Sequence, residues 1–61
     1  MSETDVLWTV QDVSEFLRVP VATIYQWRVR HEGPQAMRIG RHLRFDPETV
    51  RAWSRDQLEV V

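Results

Sequence analysis

Residues 20–30, PVATIYQWRVR, form the segment that decides the fold of this chain. At 100° per residue, Val21, Ile24 and Trp27 fall on one side of a helix, at the i, i+3 spacing of a buried stripe. The opposite side carries small, amide and guanidinium groups, from Ala22, Gln26 and Arg30, with Thr23 beside Arg30. A helix with an apolar back and such a front is suited to insertion into a DNA groove.

The residues before this segment predict a first helix over about 10–17. Thr9 is a good N-cap, and the Asp12 carboxylate can accept a hydrogen bond from the Thr9 amide, as in a capping box. Trp8 and Val13 are placed for a hydrophobic staple. The apolar face of this helix is expected to consist of Val10, Val13, Phe16 and Leu17.

A corner joins this helix to the next one. Pro20 restricts Val19 to extended conformations, so the first helix must end before it. Because proline is tolerated at a helix start, a second helix is expected from about 21 to 30. Two short helices joined by a turn of three or four residues form a helix-turn-helix.

A β-hairpin is predicted after the second helix. Gly33 is a natural residue for the helix C-terminus, and Pro34 prevents the helix from continuing. Apolar and polar residues then alternate with a period of two on each side of Gly40 and Arg41. We expect one face, with Met37, Ile39, Leu43 and Phe45, to pack on the helices. The other face should present Arg38, His42 and Arg44, with Arg41 at the tip, so that the hairpin forms a wing.

A third helix is predicted over about 47–58. Asp46 is a good N-cap, and Pro47 suits the first helical position. Its buried side is expected to consist of Val50, Ala52, Trp53 and Leu58. Arg51 and Arg55 are expected to form an exposed i, i+4 pair.

The charges of the chain are segregated along the sequence, although the net charge is only −1. Residues 1–17 carry −4, residues 18–45 carry +5 and residues 46–61 carry −2. All eight basic residues are arginine, whose planar donor fork suits phosphate and guanine. The segregation is either the footprint of a nucleic-acid ligand or an ordinary solvated surface, and the concentration of six arginines in the central block favours the footprint.

Composition excludes several classes of function. A chain of 61 residues is expected to form one domain over 1–61, with a short tail over 1–7 and a frayed end over 59–61. It has no cysteine, and His31 and His42 lack a metal-ligand pattern, so no metal or cofactor is expected. Without a glycine-rich phosphate loop or a nucleophile pattern, no catalytic residues and no enzyme activity are expected. No apolar run is long enough to cross a membrane, and the acidic N-terminus is unlike a signal peptide.

Four segments together carry a resemblance to a known family. They are the opening WTVQDVSEFL (8–17), VPVATIYQWR (19–28), RIGRHLRF (38–45) and DPETVRAW (46–53). From Trp8 to Trp53 the chain resembles the excisionase-type members of the MerR-like winged helix-turn-helix superfamily. The resemblance implies a small α+β fold with about three helices and a two-stranded β-hairpin wing between helices 2 and 3.

The resemblance also implies a function. Members bind double-stranded DNA with helix 2 in the major groove and the wing against the backbone or the neighbouring minor groove. A phage or mobile-element protein of this size would be a recombination directionality factor, a bacterial cytoplasmic protein associated with the nucleoid. It would be a monomer in free solution, and several copies would bind and bend attachment-site DNA and direct a tyrosine integrase toward excision. The alternatives are a small transcription regulator of the same fold and an adaptor that binds an acidic protein partner.

Ten residues are candidates for DNA contact. On helix 2 they are Ala22, Thr23, Tyr25, Gln26, Arg28 and Arg30, and on the wing they are Arg38, Arg41, His42 and Arg44. Gln26 could bind adenine bidentately, and Thr23 could contact a thymine methyl group or a phosphate. Arg30 suits phosphate or guanine, and Ala22 is small enough for close approach.

The remaining candidates have two interpretations each. Tyr25 either donates to a phosphate or covers the core, and Arg28 contacts either DNA or a loop carbonyl. At the wing tip, Arg41 is the best candidate for a phosphate or a narrow minor groove. Arg38, His42 and Arg44 either contact phosphate, or one of them is held by carboxylates of helix 1 or helix 3.

The chain departs from the family pattern at two positions. Arg18 stands where relatives often have glycine, so it either adopts a left-handed conformation or the turn is built differently. Pro20 stands where serine or threonine often caps helix 2.

Overall fold

The computed structural model describes residues 6–59, and in this range it has three helices and one antiparallel hairpin. The elements follow in the order α1 (Val10–Leu17), α2 (Val21–Val29), β1 (Met37–Ile39), β2 (His42–Arg44) and α3 (Pro47–Arg55). The predicted α+β class, with a hairpin between the second and third helices, is confirmed. The expected N-terminal tail and frayed C-terminus fall mainly on residues 1–5 and 60–61, outside the described residues. None of the described helices has the length and apolar character needed to cross a membrane.

Helix α1 has the predicted bounds and the predicted cap. The Thr9 amide donates to Asp12 Oδ2 at 2.9 Å, and the Asp12 amide donates to Thr9 Oγ1 at 3.1 Å. At the other end Arg18 is left-handed (φ 60°), which settles the two alternatives for this turn. The Val19 amide donates to the Ser14 carbonyl at 3.2 Å, and the Ser14 hydroxyl donates to the Val19 carbonyl at 2.6 Å. These bonds offset the cost of about 1 kcal/mol for a left-handed non-glycine residue.

The left-handed residue that closes α2 is His31 (φ 59°), so the C-terminal role predicted for Gly33 is wrong. The His31 amide donates to the Arg28 carbonyl at 3.2 Å, and the Glu32 amide donates to the Trp27 carbonyl at 2.7 Å. These two bonds define a Schellman motif, which ends α2 one residue earlier than predicted.

Four fully buried residues form the centre of the core, and each comes from a different part of the chain. They are Val13 of α1, Ile24 of α2, Phe45 after β2 and Val50 of α3. Trp27 packs against this cluster and lies with its ring centroid 5.2 Å from that of Trp53. Of the predicted buried stripe of α2, Ile24 is buried, whereas Val21 and Trp27 are half-buried.

Trp8 connects the chain start to the hairpin and to α3. Its amide and carbonyl form two hydrogen bonds of 2.8 Å with the carbonyl and amide of Phe45. Its ring lies 5.1 Å from the ring of Phe16, which is 44% exposed rather than part of a buried face as predicted. The Arg51 guanidinium stacks 5.3 Å from the Trp8 ring centroid and pairs with Glu48 at 2.9 Å. Arg51 is therefore half-buried by its contacts, and its predicted place in an exposed arginine pair is wrong.

The two faces of the wing differ from the prediction. Residues that face each other across the hairpin are Met37 and Arg44, Arg38 and Leu43, and Ile39 and His42. Directly opposed residues lie on the same face of an antiparallel pair, so each face mixes apolar and basic side chains. The predicted division into an apolar and a basic face is therefore wrong, and Met37 and Ile39 are exposed. The reason is the two-residue turn, which pairs odd-numbered with even-numbered positions.

Helix α3 is three residues shorter than predicted. Hydrogen bonds of the i, i+3 type follow its end at Arg55, and Leu58 is 83% exposed instead of buried. Ala52 is also exposed, because it lies about 200° around the helix from buried Val50. The Asp46 carboxylate accepts a hydrogen bond from the Thr49 hydroxyl at 3.0 Å.

Two glycines allow a test of the packing around Trp27. Both have positive φ, but a Cβ on Gly33 would lie 2.8 Å from Trp27 Cε3, whereas a Cβ on Gly40 would meet nothing within 4 Å. We expect Gly33→Ala to lower the free energy of unfolding by about 2–4 kcal/mol, since it adds overpacking to backbone strain. Gly40→Ala, with strain alone, should lower it by about 1–2 kcal/mol. Urea denaturation of both variants measures the difference, and equal losses would contradict the close contact at Trp27.

Candidate nucleic-acid interface

The front of α2 is the exposed row opposite buried Ile24. It consists of Ala22, Tyr25, Gln26 and Val29. Arg30 is also exposed and follows directly as the C-cap residue. Since Ile24 is 1% exposed and held in the core, the rotation of α2 about its axis is fixed, and with it the set of side chains that face outward.

The two flanks of α2 are half-buried and differ in their surroundings. Thr23 lies on the flank toward the Trp27 side of the helix, and Arg28 lies on the other flank. Arg28 and Tyr25 border a groove between α2 and the hairpin. Arg28 also borders the loop over residues 31–36, so both interpretations of its position stay open.

This groove, here called the wing groove, is lined by three parts of the chain. Thr9 and Val10 of the α1 start lie at one side, and the remaining lining residues are Tyr25, Arg28, Arg38, Arg41, His42, Leu43 and Arg44. All four predicted wing residues belong to it, although they occupy both faces of the hairpin. The wing groove thus brings together six of the ten predicted contact residues from two separate elements.

The wing groove is strongly basic. Four arginines and one histidine line it, and the described residues around it contribute no carboxylate to its walls. Within residues 6–59 the one ion pair is that of Arg51 with Glu48, on α3. Arg44 is held by its own backbone, since its guanidinium donates to the Leu43 carbonyl at 2.8 Å. Guanidinium groups with uncompensated charge, collected in one groove, form a site for phosphate.

The remaining predicted residues lie outside the wing groove. Ala22 and Gln26 occupy the front of α2, next to the groove, whereas Thr23 lies on the far flank. Arg30 lies at the C-terminal end of the helix. The structure therefore separates the candidates into a basic groove and a neighbouring row of small, amide and apolar groups.

Sequence reasoning missed Val29, which is 80% exposed on the front of α2. The signal was present, because Val29 stands seven residues after Ala22 and three after Gln26, on the same helical face. It also missed Thr9 and Val10 at the groove wall. No local pattern could place them there, since their position depends on the pairing of Trp8 with Phe45.

Metal chemistry has no candidate site in the part of the chain that the structure describes. Across residues 6–59, no group of three or more histidine, aspartate or glutamate side chains is arranged to hold an ion. The histidine of the wing groove, His42, is instead surrounded by arginines. The chemistry of this surface is that of cationic and hydrogen-bonding contacts.

Comparison with known proteins agrees with this arrangement. A family model described as a helix-turn-helix domain matches residues 9–57. No curated protein and no solved structure matches the chain significantly. The matched range begins at the cap of α1, includes α2 and the wing, and extends two residues past the end of α3. Because this match covers most of the chain, the protein belongs to the helix-turn-helix domain family.

Proposed function

We propose that the protein binds double-stranded DNA sequence-specifically, with the front of α2 in the major groove and the wing groove over the adjacent phosphates. The observation that carries this proposal is the wing groove, a carboxylate-free cluster of arginines beside an exposed helix face. Membership of the helix-turn-helix family supports sequence-specific DNA binding. An α-helix with its side chains is about 10–12 Å in diameter, which fits a major groove about 12 Å wide.

The front of α2 supplies the contacts that distinguish bases. Gln26 can bind the N6 and N7 edge of adenine through its amide, and Ala22 lets the helix approach closely. Arg30 reaches a phosphate or a guanine from the helix end. Thr23 is half-buried on the flank of α2 that faces away from the wing groove, and it contacts the phosphates of the DNA strand on that side.

The wing groove supplies most of the phosphate contacts. Tyr25 and Arg28 face it from α2, and Arg38, His42 and Arg44 face it from the hairpin. Arg41, exposed in the turn of the hairpin, enters the minor groove or contacts its phosphates. In this arrangement α2 and the wing contact the same DNA strand from its two sides, α2 from the major groove and the wing from the minor groove.

We further propose that this DNA binding serves excision of a mobile element. The protein would act as a recombination directionality factor that bends attachment-site DNA and directs a tyrosine integrase toward excision. Support comes from the four segments that resemble excisionases and from the winged arrangement that they form. Integrase would then be a partner in addition to DNA.

Assembly of several copies on DNA has support from a second surface. Val6 and Phe16 are exposed beside the carboxylates of Asp12 and Glu15, on the α1 side of the molecule. None of the residues that line this acidic and apolar surface also lines the wing groove, so the surface stays free while the groove holds phosphates. It can then contact a neighbouring copy that DNA has already aligned, with monomers in free solution.

The contribution of the wing can be measured through salt dependence. We expect Arg41→Ala to weaken binding on all duplex sequences and to reduce the slope of log K against log salt by about one unit, because one phosphate contact is lost. Arg55→Ala is the matched control, since Arg55 is an exposed arginine on α3, away from the wing groove. Equal changes in both variants would show that Arg41 acts only through overall charge.

The contribution of Gln26 can be measured through specificity. We expect Gln26→Ala to reduce the preference for a selected site over random duplex by about 5- to 100-fold, as a bidentate adenine contact is lost. Fluorescence anisotropy on both duplexes measures this ratio. An equal loss of affinity on the two duplexes would argue against base recognition by Gln26.

The excision role is tested by reconstitution with the integrase of the element that encodes the protein. We expect a footprint on the attachment sites and an increase in excision of at least tenfold when the protein is added to integrase and DNA. The Arg41→Ala variant should lower this stimulation in proportion to its loss of DNA binding. Footprints confined to a promoter, without stimulation of excision, would identify the protein as a transcription regulator of the same fold.

A further inference from the structure

Val29 is the most exposed large apolar residue on the described helices. Its side chain is 80% exposed, compared with 49% for Tyr25 and 44% for Phe16. A single exposed apolar side chain is common on protein surfaces, so exposure alone carries no function. Valine, however, also has a lower helix propensity than alanine, so at this position it contributes neither packing nor helix stability.

Val29 lies on the same face of α2 as the residues proposed to contact bases. Seven residues separate it from Ala22, which places the two side chains within about 20° of each other on the helix surface. Tyr25 and Gln26 flank it on either side of the same row. Val29 therefore belongs to the front of α2, about 140° around the helix from buried Ile24, and it is the last residue of the helix.

The chemistry of the major groove identifies a ligand for such a group. Bases present hydrogen-bond donors and acceptors there, and the one apolar group is the C5 methyl of thymine. A phosphate has no apolar group against which an aliphatic side chain could pack. We propose that Val29 is a specificity-determining residue that recognises thymine by packing against its methyl group. This inference rests on the proposed function, because it assumes that the front of α2 enters the major groove.

The test removes the contacting methyl groups from each partner in turn, namely the C5 methyl of thymine and the two γ-methyl groups of Val29. A preferred site is first selected from random duplex with the full chain, and each thymine is then replaced by deoxyuridine. We expect one substitution to weaken binding by about three- to fivefold, the value of one buried methyl group. Val29→Ala should weaken binding by a similar factor, and in this variant the same deoxyuridine should have no further effect.

Two comparisons separate this contact from other roles. Val29→Ala raises helix propensity, so the variant is expected to fold, and circular dichroism and thermal unfolding check this. Leu58→Ala is the matched control, because Leu58 is 83% exposed but lies beyond α3 and outside the interface. It should leave affinity and every deoxyuridine effect unchanged.

The outcomes distinguish the inference from the function on which it rests. If the wild type binds its selected site but Val29→Ala leaves all deoxyuridine effects intact, the thymine contact is wrong and DNA binding stands. Equal weakening by Val29→Ala on all sequences also overturns it and assigns Val29 to a non-specific contact. If the wild type shows no salt-dependent binding to duplex DNA, the proposed function fails as well.

Discussion

The structure depends on the pairing of Trp8 with Phe45, two backbone hydrogen bonds that join residues 37 positions apart. An isolated two-stranded hairpin is marginal in water, and this pairing extends the wing onto the chain that enters α1. The Trp8 ring then contacts Phe16 of α1 and lies under Arg51 of α3. One residue therefore fixes the wing relative to two helices. Since the groove between wing and α2 is the basic surface of the molecule, its shape follows from this contact.

The second constraint is the small core. Its four buried residues come from each of the three helices and from Phe45 directly after β2, so a shift of any helix disturbs the others. Ile24 is the contribution of α2, and its burial determines which residues of α2 face outward. A domain of this size buries a modest part of its surface, so the orientation of α2 depends on few contacts. The close approach of Gly33 to Trp27 adds to them from the loop side.

Local patterns predicted the helices, the hairpin and the Thr9 cap, because each depends on neighbours in sequence. The side chains on each face of the wing could have been predicted from the turn. A two-residue turn at Gly40 and Arg41 pairs odd-numbered residues of one strand with even-numbered residues of the other. The prediction followed hydrophobic alternation within each strand instead, and this gave the wrong faces. Both His31 and Gly33 have positive φ, and which of them closes α2 depends on the residue at which the helix ends, a boundary that local patterns do not fix. The meeting of Arg28 with the wing is non-local, because it requires the Trp8 and Phe45 pairing.

The charge distribution explains how a protein with a net charge of −1 can present a surface for DNA. Arginines from α2 and the wing converge on one groove, whereas Asp12 and Glu15 lie on the α1 side, in a separate surface. At physiological salt the Debye length is about 8 Å, so a phosphate in the wing groove interacts mainly with the groove itself. Neither carboxylate lines the wing groove, although Asp12 Oδ2 accepts a hydrogen bond from the amide of Thr9, a residue of the groove wall, at 2.9 Å. Charges that are separated along the sequence therefore lie on different surfaces of the folded protein. The net charge of −1 describes neither the acidic nor the basic surface.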